Sequence, residues 1–106
     1  MAEPPEPRFD RVVGVERKRR LRREEFVMLV IKDRVLVQIG GQAGGRSGWM
    51  TRTVCDSQAK AAGDLHVLVA DYVKQGYHPS TIDESMLPPL SEEFFDPAFN
   101  KDNLQM

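Results

Sequence analysis

Residues 35–77 carry the pattern that most restricts what this chain can fold into. An apolar strand (35–39) leads into a glycine-rich loop (40–48). A second β-prone segment (49–55) follows, then a long helical pattern (about 56–75) that closes on Gly76-Tyr77. Five of the chain's eight glycines fall in the nine loop positions. Glycine tolerates backbone conformations closed to other residues, so the loop is the first place to look for a contact surface. Before it, residues 26–31 read Phe-Val-Met-Leu-Val-Ile. A short run rich in β-branched residues favours a strand buried on both faces. A three-residue polar link, Lys32-Asp33-Arg34, then makes a β-hairpin with residues 35–39.

The helical pattern has a recognisable start, face and end. Asp56 is placed to serve as the N-cap. Ala62, Leu65, Leu68, Val69, Tyr72 and Val73 recur at spacings of three and four and predict one apolar face packed on the sheet. Gly63 either weakens the helix by about 1 kcal/mol or marks close packing. Gly76 is a natural stop, and Pro79 prevents continuation. Residues 9–15 suit a short first strand. Residues 16–25 are almost all charged and suit a loop or a solvated helical turn.

The expected fold class is α+β: a small antiparallel sheet of three to five strands with one main helix on a face. The expected organisation is a disordered leader (1–8), one domain (9–79) and an acidic, Phe-containing extension (80–106). Three prolines and two glutamates mark the leader, and nothing in it resembles a secretory signal. The extension holds Phe94, Phe95 and Phe99 and six acidic residues to one basic. It is expected to drape over the domain or to dock on another protein.

Charge is uneven behind a net of −1. Residues 8–52 hold twelve Lys/Arg against five Asp/Glu, a local +7, and residues 53–106 hold three against nine, a local −6. The asymmetry suits an anionic partner for the basic half, or mutual neutralisation within the fold. No apolar run reaches the roughly 18 residues that span a bilayer, so no membrane partner is expected. The single cysteine, Cys55, can form neither an internal disulfide nor a cysteine-based zinc site, which points to an intracellular setting.

The glycine loop nearly fits a phosphate-binding pattern, with Gly40, four residues, then Gly45-Arg46-Ser47. Such a loop must open directly into a helix, whose N-terminal N–H groups hold the phosphates. Here a β-prone segment follows, so nucleotide hydrolysis is not expected. His66 and His78 lack companions at ligand spacing, and Ser47 lacks a base partner. Cys55 is either activated by the helix N-terminus or buried and inert. No catalytic residue, metal site or cofactor is expected.

At this point the chain resembles a WGR domain. Residues 26–31 resemble the family's early strand, Ile39-Gly40-Gly41 falls at the Trp-Gly-Arg position, and residues 48–54 resemble the following strand. Ala61 falls at a recurrent small helix position, and Gly76-Tyr77 matches the end. The resemblance covers residues 20–78, roughly half the chain. It departs at the naming motif, where Ile39 replaces Trp and Gly41 replaces Arg. WGR domains of poly(ADP-ribose) polymerases help bind DNA at strand breaks through that Trp and Arg. An aliphatic side chain stacks poorly, and glycine carries no charge, so those roles do not transfer. The resemblance therefore implies a non-catalytic binding module contacting DNA or other nucleic acid through the basic half and the glycine loop. Arg17, Lys18, Arg19, Arg20, Arg22 and Arg23 would hold phosphates. Arg46, Trp49 and Arg52 would act near the loop, Trp49 alternatively lying partly buried against the sheet. The other expectation is a protein-interaction module, or small subunit of a larger assembly, docking through Phe94, Phe95 and Phe99.

Overall fold

The computed structural model describes residues 9–19, 23–42, 48–82, 87, 90 and 92–98. Strands β1 (Arg11–Arg19), β2 (Arg23–Lys32), β3 (Val35–Gln42) and β4 (Gly48–Val54) are followed by helix α1 (Gln58–Lys74). A short strand β5 (His78–Ser80) and a 3-10 helix at Glu92–Phe95 complete the described elements. The sheet is antiparallel with five strands in the order β4-β3-β2-β1-β5, and α1 packs on one face, a small α+β fold. No helix among the described residues is long and apolar enough to cross a membrane.

The charged segment 16–25 is neither a loop nor a helical turn. Its described residues extend β1 and open β2, paired through Arg17↔Glu25, Lys18↔Glu24 and Arg19↔Arg23. Opposite charges face each other at the first two pairs, which is how a polar ribbon holds together without an apolar face. The β2–β3 link is tighter than expected. Lys32 pairs with Val35, leaving a two-residue connection in which Asp33 has a φ of 57°. Aspartate is one of the few side chains that enter this region readily.

Both faces of the two central strands are buried, as the apolar run in residues 26–31 predicts. Val27, Leu29 and Ile31 of β2 join Val15 and Leu36 beneath the helix, against Ala61 and Leu65. Met28 and Val30 join Val35, Val37 and Ile39 on the opposite face. Each such side chain contributes on the order of 1.5–3 kcal/mol through burial.

The helix begins one residue later than Asp56 would allow. Ser57 is the N-cap, in extended conformation, and its Oγ accepts from the Lys60 N–H at 3.1 Å. At the other end, Gly76 N–H donates to Val73 O and Tyr77 N–H to Tyr72 O, both at 3.0 Å, with Gly76 at a φ of 98°. This is a Schellman closure, and the Tyr72–Tyr77 edge contact at 5.1 Å supplies the apolar pair that accompanies it. The Gly-Tyr ending thus has a physical reason in both residues. Val73 is exposed rather than part of the buried face, and Gly63 faces open space, so close packing does not explain it.

The second face is closed by the C-terminal extension. Ile82, Leu87, Leu90, Phe94 and Phe95 pack on it, with Phe95 buried and its ring 5.2 Å from that of Phe9.

Candidate nucleic-acid interface

Antiparallel connectivity gathers the last residues of β1 and β3 and the first residues of β2 and β4 at one end of the sheet. The C-terminus of α1 arrives at the same end. There, the Arg17 guanidinium donates to Glu25 Oε2 at 2.7 Å and to the carbonyl of Gln75 at 2.8 Å, while lying 4.4 Å above the Tyr77 ring. Tyr77 Oη donates to the same Glu25 oxygen at 3.1 Å. The Glu25 hydrogen bond raises the Arg17 pKa from its ordinary value, partly offset by desolvation. A cation over the exposed carbonyls of a helix end also complements the helix dipole.

Beside this cluster lies a cleft of about 370 Å³ bounded by Glu25, Tyr77, Gln42, Gly48 and Trp49. Two glycines shape it. A Cβ on Gly40 would overlap the Trp49 indole, so the ring lies directly against the Gly40 backbone. A Cβ on Gly48 would sit 2.7 Å from the Gly40 carbonyl oxygen, too close for any other residue without a backbone shift. Trp49 is seated on one side yet stays 44% exposed. The helix covers the inner strands and leaves Trp49 at the margin. Tyr72, whose Oη donates to Gln38 Oε1 at 2.8 Å, lines the boundary between covered and open sheet.

The residues singled out by charge divide into distinct groups. Lys18 is largely exposed, 3.9 Å from Glu24. Arg19 and Arg23 are register partners at the end of the β1–β2 hairpin. Arg20, Arg22 and Arg46 lie outside the described residues. Arg17 is engaged by Glu25, Gln75 and Tyr77 and holds the helix end in place, so it is a fold-supporting residue rather than a phosphate contact. Arg52 is on the opposite face, away from the loop end. Its Nε donates to the Phe94 carbonyl at 2.7 Å and its Nη2 to the Asp96 carbonyl, fixing the 3-10 helix to the sheet. The reason is strand parity: Arg52 points with Val37 toward the second core, whereas Trp49 points with Gly40 toward the helix side.

Phe95 is buried in the domain's own second core and Phe94 is half-buried beside it, so the two rings close the fold. Phe99 lies outside the described residues. Glu25 and Gly48 were not singled out from sequence as site residues. Glu25 sat in a charge run, and its facing Tyr77 across the sheet end depends on pairing 52 residues apart.

The loop 40–48 leads into β4, a strand, and so lacks the helix N-terminus that a phosphate loop requires. Cys55 is buried, and burial together with the Asp64 hydrogen bond raises its thiol pKa. Among the described residues no group of three or more His, Cys, Asp or Glu side chains is arranged to hold a metal ion. Compared with protein-family models, curated proteins and solved structures, the chain matches none of them.

Proposed function

We propose that this chain is a non-catalytic, WGR-like binding module that takes nucleic acid at the loop end of its sheet. The observation that carries the reading is topological. The β1–β2 hairpin delivers Lys18, Arg19 and Arg23 to the same end of the sheet as the exposed Trp49. Arg19 and Arg23 are register partners of like charge, an arrangement that costs stability in isolation and that an anionic ligand relieves. Arg20 and Arg22 add two charges between them in sequence. Basic side chains hold the nucleic-acid backbone by displacing its counterions, and an aromatic ring adds an interaction with base or sugar. Docking through Phe94 and Phe95 is the weaker reading, because both rings pack on the chain's own core.

The test is a fluorescence-anisotropy titration of labelled single-stranded, duplex and nicked DNA at low and moderate salt. Wild type is compared with a variant in which Arg19, Arg20, Arg22 and Arg23 are all alanine. Affinity should fall with salt. On single strands the variant should flatten that dependence by roughly 0.7 log units per log unit of salt for each phosphate it no longer neutralises. A variant that binds like wild type, or no binding at low salt, refutes the proposal. Preference for the nicked duplex would tie the module to the WGR resemblance.

A further inference from the structure

We infer that Trp49 is a stacking platform for an unpaired base, so that the nucleic acid taken at this end is single-stranded. The inference rests on the nucleic-acid reading above and adds the form of the ligand. Three observations carry it.

First, the ring is held. Position 40 has no side chain, and the indole occupies that space against the backbone. Gly48, immediately before Trp49, lets β4 approach the Gly40 carbonyl closely enough for that seat to form. A ring with a fixed seat loses little freedom when a second flat group lands on it. Second, the ring is open. At 44% exposure it is among the most exposed large apolar side chains described, and it borders the cleft rather than a flat surface. Third, the surroundings suit a strand. The Glu25 carboxylate at the cleft would repel phosphates, but the Arg17 guanidinium 2.7 Å away neutralises it. Lys18, Arg19 and Arg23 belong to the neighbouring hairpin, whose positive charge holds the nucleic-acid backbone.

A paired base inside a duplex offers its edges to a protein and keeps its faces stacked on its neighbours. A ring that binds by its face therefore needs a base that is out of the stack. The interaction is tolerant of sequence, because every base has such a face.

Trp49 is the chain's only tryptophan, so its intrinsic emission reports stacking directly. Three probes of comparable charge separate the possibilities: a short oligothymidylate, an abasic strand of equal length, and a duplex closed by loops at both ends. Oligothymidylate should quench Trp49 emission and bind more tightly than the abasic strand or the closed duplex. Trp49→Ala should weaken oligothymidylate binding about five- to hundredfold, within the range of base–aromatic stacking, and leave the other two probes nearly unchanged. Trp49→Phe should keep part of the binding, and circular dichroism should show both variants folded.

Equal binding of the abasic strand, or binding without quenching and without effect of Trp49→Ala, overturns the stacking inference. The electrostatic reading then survives through its dependence on Arg19, Arg20, Arg22 and Arg23. Failure of all three probes to bind overturns both.

Discussion

The two faces of the sheet are closed by different devices, and each uses an arginine in a similar way. On one face a capped amphipathic helix does the covering, and Arg17 holds its C-terminal carbonyl while lying over Tyr77. On the other an irregular acidic segment does it, and Arg52 holds the carbonyls of Phe94 and Asp96, with the Phe94 ring 6.0 Å away. Two residues that contribute to the basic half by count are thus fastenings of the fold. The positive charge at the ligand end is consequently smaller than composition suggests, and it is concentrated in the hairpin. A regular helix carries its own hydrogen bonds and needs an arginine only at its end. An irregular segment has few internal bonds, so its attachment depends on the side chains that meet it.

The largest effect should come from breaking the irregular closure at its core. Phe95→Ala should cost about 3–5 kcal/mol in urea or guanidinium unfolding, comparable with the roughly 2–5 kcal/mol of Leu65→Ala beneath the helix. If Phe95→Ala leaves the midpoint unchanged while Leu65→Ala shifts it, the C-terminal segment is not part of the folded core and the symmetry between the faces fails.

Next come the two fastenings. Arg17→Ala removes a partner of the partly buried Glu25 as well as a hydrogen bond at the helix end, and should cost about 1–3 kcal/mol. Arg52→Ala loses hydrogen bonds to backbone carbonyls and should cost about 1 kcal/mol. The sharper readout is local. Amide hydrogen exchange should rise around Asp96 in the Arg52 variant and around Gln75–Tyr77 in the Arg17 variant. Uniform exchange changes in both would mean that neither arginine acts locally.

The smallest effect concerns the helix start, where Lys60 donates to Asp64 at 2.9 Å and the Cys55 thiol lies 3.6 Å from the same carboxylate. The hydrogen bond from Lys60 is the main cause holding the Asp64 pKa below its ordinary value. A carboxylate lowered in the folded state adds stability above its unfolded pKa, and this is lost as pH falls through the folded pKa. Asp64→Asn should therefore remove a small part of the acid sensitivity that wild type shows below about pH 4, read as the unfolding midpoint against pH. The Cys55 pKa is raised in the folded state, so its preference for the neutral thiol is full below the unfolded value and fades as pH rises through the folded one. A thiol reagent at mildly alkaline pH should label Cys55 slowly in native protein and quickly in denaturant. Rapid native labelling would contradict its burial.

Much of the architecture was legible locally. The six-residue apolar run specified a strand buried on both sides, because no helix of that length hides every side chain. The spacing from Ala62 to Tyr72 specified a helix with one buried face, and Gly76-Tyr77 specified its end. The charged stretch 16–25 was not legible, since it has no apolar periodicity and its strands exist through cross-strand partners. The β5 strand is three residues long and contains Pro79, too little for a local signal, and forms by pairing with residues 14–16 of β1. For the candidate site, Trp49 and the arginine tract stood out by residue type. Their meeting at one sheet end, and the diversion of Arg17 and Arg52 to fastening the fold, followed from connectivity and strand parity.

By itself the sequence determined the strand and helix content, the helix limits to within about two residues, and the presence of a glycine-rich connection between β3 and β4. These follow from properties that act over a few neighbouring residues: side-chain periodicity, capping and glycine's freedom of φ. The tertiary structure alone decided the five-strand order, the use of the acidic extension as the cover of the second face, and the seat of Trp49 on Gly40. Each depends on residues far apart in the chain meeting at a particular register. A shift of one residue would turn every strand side chain to the opposite face.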